Sequence, residues 1–200
     1  MNSAPPRTYH EEMAEKFKID PGSLPGLRVL RYPDPRLARK AAPLSPGDVD
    51  DSVFALVQRM YELLAAHKGV GLAATQVGVP LRIFVASPTG GAADRQVYLN
   101  PRIVSYEGTT TNEEGCLSVP GVNTKIKRHA KVTLEAMGLD GKAILVQADG
   151  LLARIFQHET DHLDGKLLVD RMGTVARLSH RAALKQLEEE FADSQRVPAK

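Results

Sequence analysis

The segment from Asp149 to Gly165 constrains the fold more than any other part of the 200-residue sequence. Asp149 can cap a helix that begins at Gly150 and runs to about Leu163, and Gly165 stands where a glycine commonly ends a helix. Several stretches before this helix alternate between apolar and polar residues, which is typical of half-buried strands. A run of strands interrupted by one interior helix predicts an α+β fold instead of alternating βαβ units.

The remaining pattern predicts further helices near both ends of the chain. A short helix is expected over His10–Lys18, a longer one from Asp50 to about His67, and a third from Val175 to about Phe191. In the second and third helices, apolar residues recur at helical spacing. The predicted strands are Leu27–Leu30, Leu81–Ala86, Val97–Asn100, Arg102–Tyr106, Lys131–Ala136, Ala143–Gln147 and Leu167–Val169. We therefore predict antiparallel and mixed β-sheets packed around the central helix.

Composition and charge exclude several classes of function. Lys and Arg number 26 and Asp and Glu 24, so the net charge of +2 gives no reason to expect specific nucleic-acid or membrane binding. Aromatic residues make up only 5% of the chain, which argues against base-stacking platforms. The single cysteine, the acidic N-terminal segment and the lack of a long apolar run predict a bacterial, cytoplasmic protein.

The central helix carries the sharpest chemical signal, the sequence His158-Glu159-Thr160-Asp161-His162. Because His158 and His162 are four residues apart, both rings leave the same helix face, and two nitrogens can bind one metal ion at about 2.0–2.1 Å. Glu159 in such a motif takes a proton from water at the metal. The alternative is a solvated helix face that matches the pattern by chance.

The residues alone leave the third metal ligand open. A downstream carboxylate among Glu188–Glu190 would suit a zinc endopeptidase, although that cluster also fits a solvated helix end. Upstream, Cys116 could supply a thiolate, or it could be a small buried apolar residue as many free cysteines are. A non-catalytic metal or peptide-binding module is a further alternative, and it would need neither Glu159 nor Gln76.

Three segments resemble, in order, the signature motifs of peptide deformylases. They read GVGLAATQVG over Gly69–Gly78, EGCLS over Glu114–Ser118, and QHETDH over Gln157–His162. The resemblance runs from about residue 27 to about residue 172. It implies an N-terminal appendage over 1–26, a catalytic domain over 27–172, and a C-terminal helix and tail over 173–200.

The resemblance implies a hydrolase that removes the N-formyl group from the N-terminal methionine of newly synthesised polypeptides and releases formate. Cys116, His158 and His162 would bind one divalent metal ion, Fe(II) in the family's usual form, with Zn, Ni or Co as alternatives. Metal-bound water or hydroxide would attack the formyl carbon while Glu159 acts as general base and then acid. Gln76 and the backbone N–H of Leu117 would stabilise the oxyanion.

The resemblance also implies how N-formylmethionyl nascent polypeptides would bind. The peptide would add as a strand beside Gly71, and the methionine side chain would enter a pocket that includes Val70, Leu151 and Ile155. Leu151 and Ile155 could equally be plain core residues. The helix over 175–191 could dock near the ribosome exit tunnel, although covering the sheet is the simpler role.

Some positions depart from the family pattern or suggest supporting contacts. Asn112 and Arg154 stand where some members have apolar pocket residues, and Asn123 stands where some have an arginine that contacts substrate. These differences bear on the outline of the pocket. Arg128 is a candidate ion-pair partner for a buried acid such as Glu114.

Overall fold

The computed structural model describes residues 19–196, so the predicted helix His10–Lys18 lies outside the described residues. The helices are α1 (Asp51–Ala66), α2 (Gly150–Leu163), α3 (Leu168–Arg171), α4 (Thr174–Ser179) and α5 (Arg181–Arg196). The strands are β1 (Gly71–Ala73), β2 (Ile83–Ala86), β3 (Gln96–Glu107), β4 (Thr110–Gly115), β5 (Asn123–Arg128), β6 (Lys131–Met137) and β7 (Ala143–Asp149). Within residues 19–196, no helix combines the length and the apolar character that a membrane crossing requires.

The strands form two separate sheets. Five of them pair in the order β1-β2-β3-β6-β7, with every neighbouring pair antiparallel, and β4 pairs with β5 as an isolated hairpin. β1 is therefore an edge strand of the larger sheet, and β4 has a partner on one side only. Helix α2 contacts all five strands of the larger sheet, including the edge strand β1. The predicted α+β fold around a central helix is therefore confirmed.

Helix α2 is fixed on the sheet by aromatic packing. The ring of Phe156 is fully buried, 5.9 Å from the ring of Phe84 and 4.9 Å from that of Tyr98 between centroids. Two residues further along, about 200° around an α-helix, His158 points away from this aromatic cluster. The packing of Phe156 therefore decides which way the metal-binding motif faces.

Helix α1 forms as its pattern predicts. The carboxylate of Asp50 accepts hydrogen bonds from the backbone N–H groups of Ser52 and Val53, at 2.9 and 3.2 Å, which caps the helix. Its inward face buries residues at helical spacing: Val53, Leu56, Val57, Met60, Tyr61, Leu63 and Leu64. This face fills the core beneath β1 and β2.

Two predicted strands are wrong. Leu27–Leu30 is not paired in a sheet, because its hydrogen bonds go elsewhere: the backbone N–H of Leu30 donates to the carbonyl of Gln76 at 2.7 Å. Leu167–Val169 begins helix α3 instead of a strand. The carboxylate of Asp170 accepts a hydrogen bond from the backbone N–H of Leu167 at 2.8 Å, which favours a helical turn there.

The predicted C-terminal helix is two helices, α4 and α5, which meet at His180. The hydroxyl of Ser179 donates to the carbonyl of Val175 at 3.0 Å, a local bond that competes with the regular helical pattern. In α5, Leu184 and Leu187 pack against residues of the β4–β5 hairpin region, including Val119.

The β4–β5 hairpin is absent from the sequence-based prediction. In β5 every second residue is buried, but two of the three buried residues, Thr124 and Arg128, are polar, so the apolar alternation that reveals a strand is missing. Cys116 lies at the start of the connection between the two strands of this hairpin.

Candidate metal centre

Three side chains from two distant parts of the chain meet in one place. The Sγ of Cys116, which follows β4, lies 3.3 Å from the Nε2 of His162, and this Nε2 lies 3.2 Å from the Nε2 of His158. All three candidate ligand atoms lie within 4.8 Å of one another. Two imidazole nitrogens bound to one tetrahedral metal ion at about 2.1 Å would be about 3.4 Å apart. The residues therefore fit a single metal ion.

The metal-facing nitrogen of His158 is set by a buried carboxylate behind the ring. The Nδ1 of His158 lies 3.0 Å from the Oε2 of Glu114. An imidazole that bonds a carboxylate through Nδ1 presents Nε2 to the metal in a fixed orientation. Glu114 thus orients a ligand from the strand that also leads to Cys116.

Glu114 is surrounded by positive charge, and its predicted pairing with Arg128 is present. The Nε and Nη2 of Arg128 donate to the two carboxylate oxygens at 2.8 and 2.9 Å, and Arg154 adds a third contact. Burial alone would raise the pKa of Glu114, but His158 and Arg128 outweigh it and hold the pKa well below its usual range. The carboxylate is therefore ionised, and both of its oxygens have hydrogen-bond partners.

A second buried acid ties three elements together behind the site. Asp161 on α2 accepts a hydrogen bond from the Nη1 of Arg128 at 2.6 Å and one from the Nε of Arg171 at 2.9 Å. Arg128 thereby bridges Asp161 and Glu114, and Arg171 fastens α3 to α2. The contact of Arg171 was not predicted, because this residue lies outside all three motifs.

Gln157 joins α2 to the turn between β5 and β6. Its Oε1 accepts a hydrogen bond from the backbone N–H of His129 at 2.9 Å, and its Nε2 donates to the carbonyl of the same residue at 3.0 Å. This pair of hydrogen bonds fixes the end of β5 against the helix that carries both histidines.

Gln76 and Leu117 lie beside the candidate ligands. The Oε1 of Gln76 accepts a hydrogen bond from the backbone N–H of Ala73 at 2.8 Å, which fixes the side chain. Its Nε2 donates to the hydroxyl of Ser118 at 3.1 Å and lies 3.7 Å from the Sγ of Cys116. Leu117 follows Cys116 directly and lines the same cleft as Gln76, so both predicted oxyanion donors lie beside Cys116.

Glu159 differs from the other buried acids of the site. It is 3% exposed, and its Oε2 has no hydrogen-bond partner among residues 19–196. Burial raises the pKa of Glu159 to about 7, against the opposing influence of His158 and Arg128. An unpartnered carboxylate with a raised pKa next to metal ligands is suited to accept and return a proton.

One cleft of about 280 Å³ is lined by Gln76, Cys116, Leu117, His158 and Glu159. Its walls include all four predicted substrate-binding residues: Val70, Gly71, Leu151 and Ile155. Leu151 is 50% exposed and free to contact a ligand, whereas Ile155 is 3% exposed and belongs to the core as well. Arg154 also lines the cleft, but its Nη1 is directed to Glu114 and to the carbonyl of Ile126 at 3.1 Å.

Comparison with known proteins gives a consistent result. The sequence model of the family described as polypeptide deformylase matches residues 27–177. A peptide deformylase of Alkalilimnicola ehrlichii is 42% identical over 162 residues, which cover 80% of this chain and 90% of that protein. One of Neisseria gonorrhoeae is 41% identical over 160 residues, which cover 80% of this chain and 95% of that protein.

Solved structures agree with the sequence comparisons. A crystal structure of a peptide deformylase from Legionella pneumophila matches with a TM-score of 0.76 and 39% identity, covering 86% of this chain and 99% of that one. A plant peptide deformylase matches with a TM-score of 0.82 and 34% identity, covering 86% of this chain and 95% of that one.

Proposed function

The chain belongs to the polypeptide deformylase family, and from this premise we propose which of its residues carry out the reaction. It is a metal-dependent hydrolase that removes the N-formyl group from the N-terminal methionine of newly synthesised polypeptides and releases formate. The prediction of this activity from three short motifs is confirmed.

One observation supports the assignment of the metal ligands. The Sγ of Cys116 and the Nε2 atoms of His158 and His162 converge at separations that suit one tetrahedral ion. Thiolate and imidazole donors accept several divalent metals. We assign Fe(II) as the native ion, as the family resemblance implies, with Zn, Ni and Co able to occupy the same ligands.

A divalent ion held by Cys116, His158 and His162 would supply Lewis acidity, which would activate a water molecule and polarise the formyl carbonyl. Glu159 then provides the proton transfers. Its Oε2 forms no hydrogen bond with the described part of the chain. This oxygen accepts the proton of the attacking water and passes it to the nitrogen of the leaving amine.

Gln76 and Leu117 stabilise the negative charge that develops on the formyl oxygen. The Nε2 of Gln76 is held in place through its own Oε1, so this donor needs no reorganisation during the reaction. The backbone N–H of Leu117 is the second donor. Removing one donor of this kind commonly lowers the rate by about 10²–10³-fold.

The free edges of two sheets suit an extended peptide. β1 is the edge strand of the five-stranded sheet, β4 has a partner on one side only, and both border the cleft. A formylated peptide lying between them can bond main-chain groups of Gly71 on one side and Gly115 on the other, whatever its sequence. The methionine side chain then contacts Val70, Leu151 and Ile155.

We assign the catalytic unit to residues 27–172, within the 27–177 match, with an appendage over 1–26 and a C-terminal part over 173–200. Helix α5 packs Leu184 and Leu187 against the hairpin region, and Glu189 and Asp193 on its outer surface are exposed. We therefore propose that α5 covers the hairpin, in preference to docking at the ribosome exit.

We place the protein in the bacterial cytoplasm. The similar curated deformylases named above are bacterial proteins, and a reducing compartment keeps the Cys116 thiol from oxidation. Nascent formylated chains are present in the same compartment.

The activity is tested by incubating protein loaded anaerobically with Fe(II) with formyl-Met-Ala-Ser and measuring formate. We expect formate release by the wild-type chain. Its absence, under conditions in which a bacterial deformylase is active, contradicts the assignment.

The ligand set is tested by measuring metal content in a Cys116→Ala variant and in a Ser105→Ala control, whose side chain is exposed on β3. We expect the control to keep one metal ion per chain and Cys116→Ala to lose it. Full metal retention without Cys116 would indicate a ligand after His162, as in a zinc endopeptidase.

A further inference from the structure

Gly71 on β1 is in contact with Glu159 in a way that excludes a side chain. A Cβ atom built on Gly71 would lie 2.4 Å from the Oε1 of Glu159, 2.9 Å from its Cδ and 3.0 Å from the Cγ2 of Ile155. Gly71 does not have a positive φ, so its backbone conformation is open to any residue. What requires glycine here is the space taken by the carboxylate.

The contact distinguishes the two oxygens of Glu159. Oε1 lies against the Cα of Gly71, whereas Oε2 is buried without a partner among the described residues. Ile155, one turn earlier on α2, borders the same space. Glu159 is thus held between the backbone of β1 and its own helix, with one oxygen left for proton transfer.

We propose that Gly71 is a positioning residue for Glu159: the missing side chain on β1 sets where the carboxylate lies relative to Cys116 and the two histidines. The proposal rests on the proposed function. It gives Gly71 a role separate from peptide docking, because β1 contacts Glu159 through the Gly71 Cα while its free edge is available to the substrate.

The two roles predict different kinetics for Gly71→Ala. If the methyl group displaces the carboxylate, kcat falls by about 10²-fold, the usual scale for a misplacement of about 1 Å, while KM changes less than threefold. If Gly71 serves only the approach of the peptide, KM rises and kcat is retained. The matched control is Gly47→Ala, where an added Cβ meets nothing within 4 Å, and we expect wild-type kinetics from it.

A double-mutant cycle tests whether Gly71 acts through Glu159. Glu159→Asp draws the carboxylate back by about 1.5 Å, one C–C bond. In the wild-type background this change should lower kcat by about 10²-fold. In the Gly71→Ala background, where the shorter side chain makes room for the methyl group, it should cost less than tenfold. Equal losses in both backgrounds overturn the proposal.

A second cycle follows thermal unfolding and needs no turnover. Gly71→Ala should lower the Tm by about 5 °C in the wild-type background, because the added carbon overlaps the carboxylate. In the Glu159→Ala background, only the contact with Ile155 remains, and the loss should shrink to about 1–2 °C. The same loss in both backgrounds contradicts the proposal.

The two hypotheses fail separately. If wild-type protein produces no formate, the proposed function fails, while the stability cycle still reports on the contact between Gly71 and Glu159. If wild-type protein is active and both cycles are additive, only the positioning role of Gly71 fails.

Discussion

Two buried glutamates flank His158, and they have opposite surroundings. Glu114 on β4 contacts Arg128, Arg154 and the ring of His158, whereas Glu159 on α2 has an oxygen without a partner among residues 19–196. The pKa of the first is held well below its usual range, and burial raises that of the second to about 7. The same residue type is thus a fixed anion in one place and, in the function that we propose, a proton carrier in the other.

This difference follows from what each carboxylate faces. A buried charge is tolerated when paired and hydrogen-bonded, and Glu114 has these partners on all sides. Glu159 faces the cleft and the Cα of Gly71, and its Oε2 has no hydrogen-bond partner among the described residues. Nothing in this part of the chain therefore prevents Oε2 from binding a proton. The comparison predicts that the two residues fail in different ways when changed.

The largest expected effect is the loss of turnover in Glu159→Gln. Because the amide cannot accept a proton, kcat should fall by about 10³-fold. Metal content should stay at one ion per chain, and the Tm should not decrease, because no ion pair is broken. Metal analysis, formate release and thermal unfolding measure these three properties. Loss of the metal would show that Glu159 is a ligand.

Glu114→Gln should show the opposite pattern, with stability and metal affinity as the affected properties. Arg154 loses its carboxylate partner and Arg128 keeps only Asp161, which should lower the free energy of unfolding by about 3 kcal/mol. The orientation of His158 is weakened, so metal affinity should fall about 10–100-fold. Denaturant unfolding and competition with a chelator measure the two effects.

The control for this prediction is Glu113→Gln, the exposed neighbour on β4. It should leave unfolding and metal affinity unchanged. If Glu114→Gln behaved like this control, Glu114 would not hold the site together.

The sequence predicts the reactive half of this comparison better than the supporting half. His158 and His162 are four residues apart, so spacing alone places them on one helix face, and Glu159 is recognised from its place directly after the first histidine. The partners of Glu114 lie 14 and 40 residues away along the chain, on elements that meet only in the folded protein. Arg128 was predicted as a candidate partner, but the contact of Arg154 was not, because local patterns do not show which distant residues meet.

The same limit explains the elements that were missed. The apolar alternation in β5 is hidden because two of its buried residues, Thr124 and Arg128, are polar, and Arg128 is buried to pair with Glu114 and Asp161. The predicted strand at Leu167–Val169 is helical because Asp170 caps it through a side chain. Sequence patterns fail where polar residues are buried to support function.

Arg154→Leu should have a smaller effect than Glu114→Gln. Arg128 keeps both of its bonds to Glu114 in this variant, so the carboxylate stays paired. The Nη2 of Arg154 is buried without a partner among the described residues, and its removal offsets part of the lost contact. We expect a change of about 1 kcal/mol in the free energy of unfolding and normal metal content.

Arg154→Leu also makes this part of the cleft wall apolar. The KM for formyl-Met-Ala-Ser should therefore change by less than about threefold. A loss of stability as large as that of Glu114→Gln would mean that Arg154, and not Arg128, is the main partner of Glu114.

The smallest effect is expected at an exposed ion pair between Arg102 on β3 and Glu135 on β6. The two side chains are 71% and 48% exposed, so solvent screens their attraction. Arg102→Ala should change the free energy of unfolding by no more than about 0.5 kcal/mol, with kcat and metal content unchanged. Denaturant unfolding at low and high salt measures the effect. A loss close to that of Glu114→Gln would show that pairing alone, without burial, determines what a carboxylate contributes to this protein.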